Sequence, residues 1–248
     1  MTIKHTYTGD APQRLNKWMA SLGLCSRREA EALIASGKVS VDGTQITEPG
    51  HKIAPGETLI LAGGEPPRFT AVLNKPVGYV SAQPEPGQTP AVRLLTRAAL
   101  QGRGSVPKKS ASLAPLGRLD KDSRGLLLLS DDGVLAKALI GPQSPLDKEY
   151  LVRVSGKITP ERVAKLRHGL ELDGRALKPA QVTPIGGQVL KIVLREGRNR
   201  QIRRMADLVG LSVLDLQRTR IGPLTLGGLK EGCWRALSPA DRQALLGR

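Results

Sequence analysis

The chain has 248 residues and a mass of 26.5 kDa, which is long enough for one large domain or two modest ones with a buried core. Lysine and arginine outnumber aspartate and glutamate by 38 to 22, leaving a formal net charge of +16 and a sequence pI near 10.4. So large an excess is offset by a polyanion such as nucleic acid or by an anionic membrane, although a basic and inert surface also fits the charge alone.

Other classes of protein are disfavoured by what the sequence lacks. No apolar run approaches the ~20 residues of a membrane-spanning helix, and the first residues contain no apolar segment of the signal-peptide kind. Cys25 and Cys233 lie far apart and the three histidines show no ligand spacing, so neither a disulfide framework nor a metal site is expected. The sequence predicts a soluble protein of a reducing cytoplasm, with no membrane partner and no metal.

A break in composition at Gly63-Gly64-Glu65-Pro66-Pro67 predicts a linker between two domains. Upstream, one helix is predicted at 15–22 and a second begins at Ser26, with Glu29 at the spacing of a capping box. Asp42-Gly43 follows alternating residues and predicts a tight hairpin.

Arg27 and Arg28 occupy the first turn of the second predicted helix, where the helix dipole disfavours cations. A phosphate would be attracted by both guanidinium groups and by the helix N-terminus. Two solvated arginines fit the pattern equally well.

Three segments of this region resemble an S4 RNA-binding domain over residues 13–62. They are Arg14-Leu15-Asn16-Lys17-Trp18, Cys25-Ser26-Arg27-Arg28-Glu29-Ala30, and Gly37-Lys38-Val39 with Val41-Asp42-Gly43. The resemblance implies binding of structured RNA through the helical face and the loop that follows it, without catalysis. The RNA contacts that it implies are Arg14, Lys17, Arg27, Arg28 and Lys38.

Residues 68–248 are predicted to form a second domain of the α+β class, in which strands and helices are interspersed without a regular βαβ repeat. Its predicted strands are 69–73, 79–82, 126–129, 149–154 and 189–194, and its predicted helices are 159–167 and 199–209. The basic stretch 101–112 predicts a loop, and Asp131-Asp132-Gly133 predicts a turn.

A polar loop, Gly117-Arg118-Leu119-Asp120-Lys121-Asp122-Ser123-Arg124-Gly125, leads into the apolar run 126–129. Carboxylates on a loop anchored by a rigid strand are well placed for catalysis. The neighbouring cations favour the ionised carboxylate that a nucleophile requires. A surface loop of salt bridges is the alternative, and the loop alone does not choose between Asp120 and Asp122.

Five arginines lie between Arg195 and Arg204, a density that predicts phosphate contacts or carboxylate pairing. Asn199 is predicted as the N-cap of the helix. Ile202 and Met205 share one face of that helix, with arginines on the neighbouring face.

Tyr150 stands out because aromatic residues make up only 2% of the chain. In an enzyme acting on nucleic acid it could stack on an extruded base. A core tyrosine on a strand is the alternative, and the residue by itself favours the core.

Four ordered motifs resemble the RsuA-type ribosomal RNA pseudouridine synthases, which also carry an N-terminal S4 domain. They are Asn74-Lys75-Pro76, Gly117-Arg118-Leu119-Asp120, Lys148-Glu149-Tyr150 and Asn199-Arg200-Gln201-Ile202-Arg203-Arg204. The resemblance implies a catalytic domain with a mainly antiparallel mixed sheet flanked by helices. It also implies isomerisation of a uridine without cofactor or metal.

The same resemblance assigns roles to single residues. Asp120 would attack the uridine at C1′ or C6, and Tyr150 would stack on the flipped base and assist removal of the C5 proton. Arg118 would enter the RNA where the base leaves the stack. Arg203 would pair with Asp120, which favours Asp120 over Asp122 as the nucleophile.

Further RNA contacts are implied at Lys75, Arg198, Arg200 and Arg204. Lys121-Asp122-Ser123 and Arg218-Thr219-Arg220-Ile221 resemble the RluF branch. The expected partner is therefore 23S ribosomal RNA, free or in a precursor of the large subunit, bound by a monomer.

Two other functions compete. A non-catalytic S4 protein of ribosome assembly explains the charge but leaves the ordered motifs unexplained. An RNA methyltransferase would need a glycine-rich loop after a first strand, and Gly102-Arg103-Gly104 lies instead in a polar loop.

Overall fold

The computed structural model describes residues 2–63, 68–107, 113–141 and 144–247. Residues 64–67 of the predicted linker and residues 108–112 of the predicted basic loop lie outside the described residues. The chain divides into two compact units, Met1–Phe69 with Asp131–Lys137, and Thr70–Ser130 with Ala138–Arg248. In the described part of the chain, every helix is too short or too polar to cross a membrane.

The first unit combines two short helices with a small antiparallel sheet. Its elements are β1 (Thr2–Thr6), β2 (Gln13–Arg14), α1 (Leu15–Ser21), α2 (Arg27–Ala35), β3 (Val39–Val41), β4 (Thr44–Ile46), β5 (Lys52–Ile53) and β6 (Thr58–Ala62). The sheet order is β1-β6-β3-β4, and β2 pairs with β5. Both helices bury one face in a common core. The helical core residues are Leu15, Trp18, Met19, Ala30, Leu33 and Ile34.

Two local predictions are confirmed in this unit. Ser26 caps α2, its side chain accepting from the Glu29 backbone while the Glu29 carboxylate accepts from the Ser26 backbone. Asp42 and Gly43 both have positive φ, 46° and 83°, between the paired strands β3 and β4. Positive φ at both central residues is the geometry of a type I′ hairpin turn.

The second unit is built on one large mixed sheet. Its strands are β7 (Thr70–Lys75), β8 (Tyr79–Val80), β9 (Thr89–Pro90), β10 (Ala114–Pro115), β11 (Arg124–Ser130), β12 (Lys148–Ser155), β13 (Glu171–Leu172), β14 (Arg175–Ala176), β15 (Gln181–Pro184), β16 (Val189–Leu194), β17 (Ser212–Ile221), β18 (Leu224–Thr225) and β19 (Trp234–Ala236). A 3-10 helix spans Ala91–Leu94, and the α-helices are α4 (Pro160–Arg167), α5 (Gln201–Leu208) and α6 (Pro239–Leu246). Helix α3 (Gly133–Ile140) belongs to the first unit up to Lys137 and to the second unit from Ala138.

The strand order of this sheet is β15-β16-β12-β17-β11-β7-β19, with β10 beside β11 and β18 beside β17. All of its pairings are antiparallel except that of β11 with β17. The predicted α+β class with a mainly antiparallel mixed sheet is confirmed. Strands β7 and β11 lie inside the sheet and are almost wholly buried, which explains their continuous apolar runs.

Strand β11 ends at Ser130, where the turn at Asp131-Asp132-Gly133 is predicted, and α3 begins within this segment. Asp132 Oδ1 accepts from the backbone N–H groups of Val134 and Leu135 at the start of α3. One predicted helix boundary is wrong. The N-cap of α5 is Arg200 rather than Asn199.

Candidate active site

The loop at residues 117–125 joins β10 to β11, which are antiparallel neighbours. Ser81 fixes its middle: the Ser81 hydroxyl donates to the Leu119 carbonyl at 2.6 Å and accepts from the Leu119 N–H at 2.9 Å. The Ser123 N–H donates to the Asp120 carbonyl at 3.1 Å and closes a turn. Asp120 is therefore carried on a short loop with fixed ends, as precise placement of a reacting group requires.

A cavity of about 1000 Å³ opens beside this loop. The four residues predicted to act in catalysis, Arg118, Asp120, Tyr150 and Arg203, all line it. Asp122 is absent from its described lining. Apolar side chains complete the walls, namely Leu119, Leu139, Leu194, Ile202 and Leu216. The fold thus brings distant motifs together around one concave site.

Asp120 and Asp122 differ in how tightly arginines hold them. Both oxygens of Asp122 accept from Arg200, at 3.1 and 3.3 Å, and Arg203 Nε lies 3.3 Å from Asp122 Oδ2. Burial opposes the effect, but the Arg200 hydrogen bond and the charges of Arg203 and Arg200 hold the pKa of Asp122 below its usual range. Within the described ranges, the one ion pair of Asp120 is a longer contact of 3.7 Å to Arg200 Nη1. Asp120 is consequently the less engaged carboxylate.

The predicted pairing of Arg203 with Asp120 is wrong in this structure. Arg203 pairs with Asp122 and also donates from Nη2 to the Asp122 backbone carbonyl at 2.8 Å. Arg200 reaches Asp120 instead. Arg200 has a φ of 47°, in the left-handed region, directly before α5 begins. Its side chain therefore leaves the chain in a direction that helical periodicity does not predict.

Tyr150 lies on β12 between β16 and β17, opposite Ile192 on one side and Arg218 on the other. Its exposed fraction is 8%, yet it lines the cavity. The two interpretations of this residue are therefore compatible: Tyr150 is packed in the sheet and borders the space where a base would lie.

Lys75 does not contact solvent, so its predicted RNA contact is wrong. The side chain is fully buried, and Nζ donates to the carbonyls of Pro76 and Tyr79 at 2.8 Å each. Burial lowers the pKa of Lys75 to about 8, although the charges of Asp122 and Asp120 act in the opposite direction. These two hydrogen bonds connect the Lys75 side chain to the backbone of the turn that follows β7.

Two of the other arginines predicted to bind RNA are engaged within the protein. Arg198 donates to three backbone carbonyls of the β13–β14 hairpin, at 3.0, 3.0 and 2.6 Å. Arg204 pairs with Asp173 at 2.6 Å on the surface. Both side chains are partly exposed, and their RNA contacts stay predictions.

The predicted RNA contacts of the first unit are all exposed, as such a role requires. They are Arg14, Lys17, Arg27, Arg28 and Lys38. Arg27 and Arg28 lie in the first turn of α2 and the buried residues of α2 follow them, so the two guanidinium groups project from a packed helix.

Three residues of the site were not predicted. Ser81 fixes the loop, and Lys148 and Arg218 line the cavity. Burial and the charge of Arg218 lower the pKa of Lys148. Lys148 and Arg218 stand in motifs that carry the family resemblance, which is the signal that could have found them. Among the residues that the structure describes, no three His, Cys, Asp or Glu side chains are grouped as a metal site.

Comparison with known proteins agrees with this geometry. A family model described as RNA pseudouridylate synthase matches residues 70–207, and a model of the S4 domain matches residues 13–59. The chain belongs to the RNA pseudouridylate synthase family. It is an isomerase that acts on RNA, and the predicted combination of an S4 domain with a pseudouridine synthase domain is confirmed.

Curated relatives and a solved structure extend the comparison. Ribosomal large subunit pseudouridine synthase B of Bacillus subtilis (strain 168) is 34% identical, over 94% of this chain and 95% of its own. The dual-specificity RNA pseudouridine synthase RluF of Escherichia coli (strain K12) is 35% identical, over 92% of this chain and 77% of its own. A crystal structure of a pseudouridylate synthase has the same fold, with a TM-score of 0.66 and 24% identity, over 94% of this chain and 99% of that one. Because the B synthase and RluF are almost equally similar, the placement in the RluF branch stays a prediction.

Proposed function

We propose that the chain converts a uridine of large-subunit 23S ribosomal RNA to pseudouridine, with Asp120 as the nucleophile. The observation that carries the assignment is the contrast between two carboxylates of one loop. Asp120 lines the cavity and has a single long ion pair among the described residues, whereas Asp122 lies outside the described lining and pairs with two arginines. A nucleophile must lie within reach of its substrate, and of these two carboxylates only Asp120 is part of the described cavity lining.

The reaction requires no net gain or loss of atoms. Asp120 attacks C1′ of the ribose or C6 of the uracil, and the bond between N1 and C1′ breaks. After the ring turns, C5 bonds to C1′, Asp120 is released, C5 loses its proton and N1 gains one. Tyr150 borders the cavity and is proposed to stack on the ring and to assist removal of the C5 proton.

The flipped base must be stabilised outside the RNA stack, because unstacking costs a few kcal/mol. Arg118 is exposed and immediately precedes the Leu119-Asp120 pair on the loop. We assign it to the space that the flipped base vacates. We propose that Arg203 supports the loop through its contacts with Asp122. Arg200 is partly exposed and is proposed to contact the RNA backbone, since arginine can bind a phosphate in a bidentate manner.

RNA binding is proposed to extend to the exposed basic residues of the S4 region. The proposed domain bounds are 13–62 for this region and 68–248 for the catalytic domain. The similarity to a ribosomal large subunit pseudouridine synthase supports large-subunit RNA as the substrate. We further propose that the chain acts as a monomer in the cytoplasm, on free RNA or on a precursor subunit. Light scattering during gel filtration measures the oligomeric state.

Two other functions receive no support. A non-catalytic assembly factor would not need the cavity and its carboxylate. A methyltransferase would need a glycine-rich turn between a strand and a helix, but Gly102, Arg103 and Gly104 lie in an exposed segment without regular structure.

The test is release of tritium from C5-labelled 23S ribosomal RNA transcripts. Wild-type protein is expected to release tritium and Asp120→Asn is expected to release none, since the amide cannot act as the nucleophile. Asp207→Asn serves as the control, because Asp207 is exposed on α5 and absent from the described cavity lining. Full activity of Asp120→Asn would exclude this residue as the nucleophile. Tritium release from small-subunit transcripts alone would exclude the large-subunit assignment.

A further inference from the structure

Arg218 is a fully buried arginine beneath the loop that carries Asp120. It lies on β17 and has an exposed fraction of 1%, although it also borders the cavity. Its backbone pairs with Gly125 of β11. A Cβ built on Gly125 would lie 2.3 Å from the Arg218 carbonyl oxygen and 2.8 Å from its nitrogen. Gly125 therefore has to be glycine for β17 to approach the end of the polar loop.

The guanidinium group of Arg218 donates to three backbone carbonyls. Nε donates to Leu126 at 2.7 Å, Nη2 to Gly117 at 3.0 Å and Nη1 to Arg118 at 3.4 Å. Leu126 follows the polar loop, whereas Gly117 and Arg118 open it. One side chain thus ties both ends of the loop together, with Asp120 between them.

The position of the Leu126 carbonyl explains why a side chain is needed there. The parallel pairing of β11 with β17 ends at Gly125 and Arg218. Within the described part of the chain, strand β10 pairs with β11 at Leu129 and Ser130, and the Leu116 N–H donates to the Leu128 carbonyl. Between these two pairings the backbone pairing of β11 with β17 and β10 is interrupted. The Leu126 carbonyl lies in this interruption and accepts a hydrogen bond from Arg218 Nε.

Arg218 has no counter-ion among the described residues: the recorded ion pairs of the second unit do not include it. Its charge lowers the pKa of both Lys75 and Lys148. A buried cation without a carboxylate is costly, and an apolar side chain of similar volume would fill the space at less cost. The guanidinium group presents several hydrogen-bond donors at fixed angles, whereas an apolar side chain has no donors.

We propose that Arg218 is a positioning residue that holds the Asp120 loop in its reactive geometry through the carbonyls of Gly117, Arg118 and Leu126. The proposal rests on the proposed role of Asp120 as the nucleophile. Arg218 acts through the loop backbone, because the recipients of its guanidinium hydrogen bonds are the carbonyls of that backbone. Its loss therefore lowers the rate of the bound complex and leaves RNA affinity unchanged.

The experiment compares Arg218→Lys and Arg218→Met with wild type, using a C5-tritiated 23S ribosomal RNA transcript. Arg235→Lys is the matched control, because Arg235 is a half-buried arginine of β19 that pairs with Asp241 away from the cavity. Single-turnover rates at saturating protein should fall about 100-fold in both Arg218 variants, the loss typical of a reacting group displaced by about 1 Å. The Kd for the transcript should stay within about twofold of wild type. Hydrogen exchange should accelerate at residues 117–124 in these variants and stay unchanged in the control.

The outcomes separate this inference from the proposed function. An inactive wild type overturns the proposed function and this inference together. An active wild type with an equally active Arg218→Met, or with full activity restored by Arg218→Lys, overturns the inference alone. Should the lysine variant fail to fold, the methionine variant decides, since it fills the space without burying a charge. Failure of both to fold would make Arg218 a determinant of the fold and would also overturn the proposal.

Discussion

Replacing Lys75 by methionine should remove a pH-dependent part of the stability of the second unit. The wild-type ammonium group is buried and donates to two backbone carbonyls. Methionine fills similar space without charge or donors. Losing those hydrogen bonds costs about 1 kcal/mol each at every pH. The change of stability with pH is therefore the informative quantity.

The direction follows from where the proton is bound. The pKa of Lys75 is about 8 in the folded chain and 10.5 in the unfolded chain. Below pH 8 both states are protonated, and the folded state bears the full cost of the buried charge. Between pH 8 and 10.5 the unfolded state binds more protons, so the free energy of unfolding rises with pH. Above 10.5 both states are neutral and the rise is complete.

The gap between 10.5 and about 8 corresponds to at most about 3 kcal/mol. Water near the partly exposed Asp120 and Asp122 screens the charge, so we expect roughly 2 kcal/mol. The free energy of unfolding of wild type minus that of Lys75→Met should rise by this amount between pH 7.5 and 10.5. Other titrating groups are common to both proteins and cancel in the difference.

Urea unfolding at a series of pH values measures this difference. Trp234 is fully buried in the second unit, and a Trp18→Phe background leaves it as the single tryptophan reporter. A flat difference across this pH range would refute the claim that Lys75 is buried as a cation. A difference that falls with pH would mean that the charged form is stabilised by folding.

Three further predictions concern the loop, the S4 region and the cavity. Asp122→Asn should lower turnover about tenfold, because Arg200 loses its bidentate partner; a loss as complete as that of Asp120→Asn in the tritium assay would reopen the choice of nucleophile. Replacing Arg27 and Arg28 together by alanine should weaken RNA binding and reduce the slope of log Kd against log salt by about 2; an unchanged slope would remove this helix from the RNA surface. Tyr150→Phe should bind RNA normally and turn over about tenfold more slowly if the hydroxyl assists proton removal, whereas full activity would leave stacking as its role.

Much of the fold could be predicted because its signals are local. The capping box of α2 and the turn between β3 and β4 depend on residues within a few positions of one another. Strand β17 was not predicted, although it is the longest strand described. Its Asp, Gln and Arg residues conceal the apolar alternation. Its charged side chains have partners in the fold: Arg218 donates to the Leu126 carbonyl of β11, and Arg220 pairs with Asp147. Asp215, for example, pairs with Arg124 of β11 at 2.8 Å.

The sequence by itself determined the α+β fold class, the position of the loop that carries Asp120 and the family of the protein. These conclusions depend on motif spacing and on charge, which can be read directly from the order of the residues. The tertiary structure decided which arginine pairs with which carboxylate. Arg200 precedes α5 in a left-handed backbone conformation, so the direction of its side chain does not follow the helical periodicity. It also decided that Lys75 is buried and that Arg218 lies beneath the polar loop. Two of these outcomes depend on contacts between distant positions of the chain: Arg200 and Asp120 are 80 positions apart, from 200 − 120, and Arg218 and Gly117 are 101 positions apart. Local periodicity contains no information about such contacts, because only packing of the sheet brings the partners together.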